Sequence, residues 1–134
     1  MSVGPTSLGT MADHAQTVRD YWAAAERRAW DDFAETLSPE VVYDVPQTHE
    51  RVVGRDRYLA FNRAYPGDWH VDVRRVVADA QGAVAWTTFR VGDQEMTGVH
   101  FFLFDDAGRI TRVDDFWPEP YEPPPGREHL VERY

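Results

Sequence analysis

TGVHFFLFDDAGRITRVDDFWP, residues 97–118, is the stretch that decides the fold. Two apolar runs rich in β-formers flank Asp105-Asp106-Ala107-Gly108, which combines turn-seeking carboxylates with a glycine able to take positive φ, so the stretch reads as an antiparallel hairpin. With an even loop that pairs Asp105 with Ile110, His100 stands opposite Asp115, Phe102 opposite Val113 and Phe104 opposite Thr111. Opposed residues share a face with Cβ atoms about 5 Å apart. His100 and Asp115 then form a polar pair in a wall of Phe102, Phe104 and Trp117, which is what a small-molecule pocket requires. Asp114 faces the other way; an odd loop with Gly108 as a bulge would exchange the two aspartates.

Working back from the hairpin, WHVDVRRVVADA (69–80) and AVAWTTFRVG (83–92) are two β-rich runs joined at Gln81-Gly82, a second hairpin. The breaker Pro66-Gly67-Asp68 precedes them. Before it, RDRYLAFNRAY (55–65) has helical spacing of Tyr58, Leu59, Phe61, Asn62 and Tyr65, while QTHERVVG (47–54) reads as a polar connection. EVVYDVP (40–46) is a first strand, with Val41, Tyr43 and Val45 on one side and Val42 and Asp44 on the other. Residues 12–28 place Val18, Tyr21, Trp22 and Ala25 on one stripe of an amphipathic helix, and Trp30 to Leu37 form a second helix that Ser38-Pro39 should end. Residues 1–11 read as a disordered leader, 12–118 as one domain, and 119–134 as a proline-rich arm and tail.

Helices first and a meander afterwards make an α+β fold. The expected architecture is a cone-shaped, curved antiparallel or mixed sheet on which three N-terminal-half helices pack to enclose a pocket. The last hairpin is apolar on both faces, with Val99, Phe101, Leu103, Ile110 and Phe116 opposite the His100 side. A second copy of the chain is expected to cover that side as a homodimer.

The bulk properties restrict the partners. At 134 residues the chain suits one domain, and a formal charge of −9 argues against nucleic acid and anionic membranes, both of which need clustered positive charge. No cysteine is present, so thiolate chemistry and disulfides are absent. Neither a signal peptide nor an apolar run long enough to span a bilayer is visible, and a cytoplasmic location is expected. His14, His49, His70 and His129 show no metal-ligand spacing, and no glycine-rich phosphate loop or GxSxG occurs, so no metal or cofactor is implied.

The helix-helix-strand-helix-meander order and the DDAGRITRVDDFW motif resemble the nuclear transport factor 2-like superfamily, in its SnoaL-like, polyketide cyclase-like branch, over residues 12–118. In that motif Gly108-Arg109-Ile110 is followed by Asp115 five residues after the isoleucine. The resemblance implies, as in polyketide cyclases, a histidine on the penultimate strand and an aspartate on the last, matched by His100 and Asp115. Asp44 matches a strand-one polar position of the epoxide hydrolases. Their central-strand arginine and aspartate are not matched, since AWTTFRV puts Thr87 and Phe89 on one face and Thr88 and Arg90 on the other. The tyrosine and acid of ketosteroid isomerases would map onto Tyr21 and Asp44.

The candidate catalytic residues are therefore His100, Asp115 and Asp44, with Trp22, Phe61, Tyr65, Thr87, Phe89, Phe102 and Trp117 as candidate substrate-binding residues. Each has a structural alternative: His100 and Asp115 as a core pair, Asp44 as a loop cap, the aromatics as packing. The functional expectation is a cofactor-independent acid–base enzyme of cyclase, isomerase or dehydratase type, acting on an apolar carbonyl compound of secondary metabolism. The alternative is a non-catalytic ligand-binding or dimerisation module.

Overall fold

The computed structural model describes residues 3–134, with side chains from His14 onward. Three α-helices, α1 (Val3–Arg27), α2 (Trp30–Glu35) and α3 (Arg55–Arg63), accompany six strands: β1 (Leu37–Val45), β2 (Glu50–Val53), β3 (Trp69–Ala78), β4 (Ala83–Val91), β5 (Gln94–Phe104) and β6 (Ile110–Phe116). They form one sheet in the order β2-β1-β6-β5-β4-β3. Every pairing is antiparallel except β1 with β6, which makes the sheet mixed. The expected α+β class and the four-strand meander are both present.

Some boundaries differ from the sequence reading. Helix α1 begins at Val3, so residues 3–11 of the expected leader are its first turns, and Met1 and Ser2 lie outside the described residues. QTHERVVG is no mere connection: β2 pairs with β1, Val42 opposite Val53 and Asp44 opposite Arg51. Its short, charged sequence hides an edge strand from a hydrophobicity reading. Helix α2 stops at Glu35, two residues early, where the Thr36 hydroxyl takes the Phe33 carbonyl at 2.7 Å and the Thr36 carbonyl accepts the Ile110 amide at 2.8 Å. Pairing with β6 thus claims Leu37 for the sheet.

The stripe on α1 buries Val18, Tyr21, Trp22 and Ala25 against the sheet. Its end is a Schellman motif, with the Ala29 amide on the Ala24 carbonyl and the Arg28 amide on the Ala25 carbonyl. That motif puts Arg28 at φ 61°, a left-handed conformation that costs a non-glycine residue about 1 kcal/mol. The guanidinium offsets the strain by binding the carbonyls of Ala25, Glu26 and Trp69 and lying 3.5 Å from the Trp69 ring centre. This junction fixes the helix end over β3.

The deciding hairpin carries two irregularities. The Gly108 amide bonds the Asp105 carbonyl, the Asp105 amide bonds the Arg109 carbonyl, and Gly108 sits at φ 82°, so the loop is odd. Phe104 therefore opposes Ile110, not Thr111. Leu103 nevertheless opposes Arg112, so Thr111 is an extra residue whose bulge restores the parity, and His100 faces Asp115 as expected. The same bulge turns Ile110 inward, where it is fully buried, so Ile110 leaves the outer apolar set. Phe104 also faces inward, stacked on His14 with ring centres 4.0 Å apart. Val77, Trp86, Phe101 and Leu103 stay exposed on the outer face. From Pro118 onward the chain is an exposed arm with one 3-10 turn, Glu128–Leu130.

Candidate active site

Between the helices and the sheet lies a cavity of about 290 Å³, walled mainly by aromatic side chains. Its floor is a line of hydrogen bonds across four neighbouring strands. The Tyr43 hydroxyl on β1 donates to Asp115 Oδ2 on β6 at 2.6 Å, Asp115 Oδ1 meets His100 Nδ1 on β5 at 2.7 Å, and His100 Nε2 meets the Thr87 hydroxyl on β4 at 2.7 Å. With the carboxylate ionised, Nδ1–H donates to it, Nε2 is left as acceptor, and the Thr87 hydroxyl donates. The pairing that sets these side chains on one face is Ala85 opposite His100 and His100 opposite Asp115. Gly98 makes room: a Cβ there would stand 2.5 Å from His100 Nε2 and 2.7 Å from Thr87 Oγ1.

Above the floor, Tyr21 of α1 and Tyr58 of α3 join hydroxyl to hydroxyl, and the Tyr58 ring stacks on Tyr43 at 4.6 Å. Burial raises the pKa of all three phenols. The charge of Asp115 adds to the shift in Tyr21 and Tyr43, and the neighbouring phenols, with a further share from Asp115, add to it in Tyr58. They are therefore proton-bearing groups at neutral pH. Two hydroxyls hold two protons, and the bond between Tyr21 and Tyr58 uses one, so the pair has one O–H to offer a third acceptor.

Asp115 and His100 do not stand equally. Asp115 lines the cavity, with two of its roughly four acceptor directions in use. His100 is wholly buried behind it, under Trp22 at 4.5 Å between ring centres. It touches the cavity's lining through its bond to Asp115.

Asp44 is placed elsewhere. Alternation along β1 points it to the outer face, where it binds Arg51 at 2.7 and 2.8 Å and also Arg112, and the Arg51 hydrogen bond leads in holding its pKa low. It is not a catalytic residue of this cavity. Asp114 shares that outer face, bound to Arg112. Of the expected substrate-binding residues, Trp22, Phe61, Tyr65, Phe89 and Trp117 line the cavity, but Thr87 and Phe102 do not. Thr87 ends the hydrogen-bond line at His100, and Phe102, on the same sheet face, packs edge-on against Tyr21 at 5.3 Å, outside the lining.

Sequence reasoning assigned no role to Tyr43, Tyr58, Trp69, Met96 or Asn62, all of which line the cavity, and it pairs Glu50 with Arg51 as a surface ion pair, whereas Glu50 lines the cavity and Arg51 binds Asp44. Strand alternation did mark Tyr43, on the Val41 and Val45 face, and helical spacing marked Tyr58 with Phe61 and Asn62; the signal was present as core pattern. Among the described residues no group of three or more histidine, aspartate or glutamate side chains converges as a metal site, and no helix is long and apolar enough to cross a membrane.

A mixed sheet covered on one face by three helices, with a cavity between the layers, defines the NTF2-like class of α+β proteins. Within that class, the sequence profile of the SnoaL-like domain matches residues 18–113, and the chain belongs to that family. A protein of Kribbella flavida provisionally assigned as a ketosteroid isomerase is 47% identical over 92% of this chain and 91% of its own, with a TM-score of 0.89. A steroid delta-isomerase of Pseudomonas aeruginosa is 25% identical over 81% of each chain, TM-score 0.65. An NTF2-like protein of unknown function from Burkholderia xenovorans shares the fold at 19% identity, TM-score 0.78, over 92% of this chain and 96% of its own. No curated protein matches the chain.

Proposed function

We propose that the protein is a cofactor-independent acid–base enzyme, of isomerase, cyclase or dehydratase type, acting on an apolar carbonyl compound. The observation that carries this reading is Asp115, a carboxylate open to an aromatic cavity beside a phenol pair with a proton to donate. In the proposed step Asp115 takes the proton α to the substrate carbonyl while the Tyr21–Tyr58 pair donates a hydrogen bond to the oxygen on which charge develops. Returning the proton to the same or another carbon gives isomerisation; attack of the enolate carbon on a second carbonyl gives cyclisation; loss of a β-hydroxyl gives dehydration. Tyr43 and His100 aim the carboxylate through their hydrogen bonds to its two oxygens. The basic residues of the chain are all arginine, so no lysine is available to form an imine with the carbonyl. The names of the two isomerase-like relatives favour isomerisation as the first reaction to try.

The test is α-proton exchange of 3-oxosteroids and cyclic ketones in D2O, read by NMR, with enone absorbance reporting isomerisation. Wild type should accelerate exchange and Asp115→Asn should not; exchange unchanged by Asp115→Asn would sink the proposal. The second reading, a non-catalytic ligand-binding module, draws on the burial of His100 with both ring nitrogens bonded. It predicts that the same ketones bind without exchange.

A further inference from the structure

Charge is distributed unevenly along the cavity. Its deep end holds Asp115 with the phenols. Its rim holds Glu50, whose position opposite Val45 puts it on the inner side of the edge strand β2. Neighbouring carboxylates on the outer face are neutralised, Asp44 by Arg51 and Arg112, Asp114 by Arg112. Glu50 has no such partner among the described residues: its Oε1 accepts only the Thr48 hydroxyl, at 2.7 Å. Among the described residues no arginine or histidine lines the cavity. Glu50 shares the lining with an aromatic series in which Phe89 meets Tyr65 at 5.4 Å and Trp117 at 5.6 Å, and of which Phe61 and Tyr65, on the α3 side, are the exposed members. Gln47, in the same turn as Thr48, binds the Trp117 backbone, while the Trp117 ring itself reaches in to 5.3 Å from His100.

An unneutralised carboxylate next to several ring faces is the arrangement that attracts an ammonium group, through charge and through the ring quadrupoles. A carboxylate or phosphate ligand would meet two anions and no cation. We infer that the cavity selects carbonyl compounds that carry a protonated amine at the end remote from the carbonyl, with that amine held at the rim by Glu50 and the Phe61 and Tyr65 rings. The orientation rests on the acid–base reading above, which assigns the carbonyl to the Asp115 end; the charge preference does not.

The test uses three naphthalene probes of one shape, (2-naphthylmethyl)ammonium, 2-naphthylmethanol and 2-naphthoate, titrated by calorimetry. The ammonium should bind about three- to fivefold more tightly than the alcohol, the size expected of one solvent-exposed charge contact, and the carboxylate most weakly. Glu50→Gln should bring the ammonium down to the alcohol while the alcohol keeps its affinity. Phe61→Leu should narrow the gap without closing it, and raised salt should narrow it too. Equal binding of ammonium and alcohol to wild type, or a preference that survives Glu50→Gln, overturns the inference. So does a preference lost in Asp115→Asn and kept in Glu50→Gln, which would put the cation on the floor. Failure of the acid–base reading looks different: proton exchange is unaltered in Asp115→Asn while the probe series keeps its order.

Discussion

Gly98→Ala sets a backbone gain against a packing loss, and the structure says which wins. Alanine in a strand interior is favoured over glycine by roughly 0.5–1 kcal/mol through the entropy of the unfolded chain, and Gly98 has no positive φ to forbid the change. The new Cβ, however, would lie 2.5 Å from His100 Nε2, so the ring must retreat by about 0.9 Å to reach the 3.4 Å at which ordinary contact begins. It is held at 2.7 Å on both sides, by Asp115 and by Thr87, and a retreat of that size stretches one bond past hydrogen-bonding range. Losing a buried bond and leaving its partner unsatisfied costs about 1–3 kcal/mol, and overpacking adds about 1–3. The net expectation is a destabilisation of about 1–5 kcal/mol, measured by urea denaturation followed through tryptophan fluorescence at constant m value. The decisive comparison is the His100→Asn background. There no ring occupies the space and only the Thr87 hydroxyl, 2.7 Å from the new Cβ, must turn aside, so Gly98→Ala should cost clearly less than in wild type. A wild-type protein that tolerates Gly98→Ala, or an equal loss in both backgrounds, would refute the account of how His100 is seated.

Other expectations follow from the same geometry. Asp115→Asn should lower any catalysed proton exchange by about 10²–10⁴-fold, while Asp114→Asn, on the outer face with Arg112, should leave the rate of that exchange unchanged in the same NMR assay. The His70–Glu26 contact at 2.8 Å joins the end of α1 to β3. The Glu26 hydrogen bond leads in raising the His70 pKa, so this stabilisation is complete below the unfolded value near 6.5 and is lost as pH rises through the raised folded value. For Glu26, desolvation raises the pKa but is outweighed by the bonds from His70 and the Val71 amide, so its contribution is complete above the unfolded value of 4.5 and is lost as pH falls through the lowered folded value. His70→Gln should abolish the alkaline decline in a series of melts. The exposed Trp86, Phe101 and Leu103 on the outer sheet face should be covered by a second copy; sedimentation should give a dimer for wild type and a monomer for Phe101→Asp, and a compact wild-type monomer at micromolar concentration would count against it.

Local chemistry in the chain already specified much of this molecule. Strand alternation and turn residues gave the meander, helical spacing gave the buried stripe of α1, and period-two parity put Asp115 inward and Asp114 outward. These are near-neighbour properties, set by where successive side chains point. The pairing of His100 with Asp115 was legible too, but only because two irregularities cancel: the odd loop at Gly108 shifts the register and the bulge at Thr111 shifts it back. Nothing in the local pattern announces the second bulge, and Ile110 is placed on the wrong face without it. The parallel pairing of β1 with β6 is of the same kind, joining segments some seventy residues apart. That pairing carries Tyr43 to Asp115, while the docking of α1 and α3 over the sheet brings Tyr21 to Tyr58, and so gathers phenol hydroxyls, two of which (Tyr43 and Tyr58) read as ordinary core, around one cavity. Asp44 was lost from the site for the converse reason. Its strand was identified correctly, but only β2 and β6 supply the Arg51 and Arg112 that make it an outer-face anchor, because a side chain's chemistry depends on which distant strands become its neighbours.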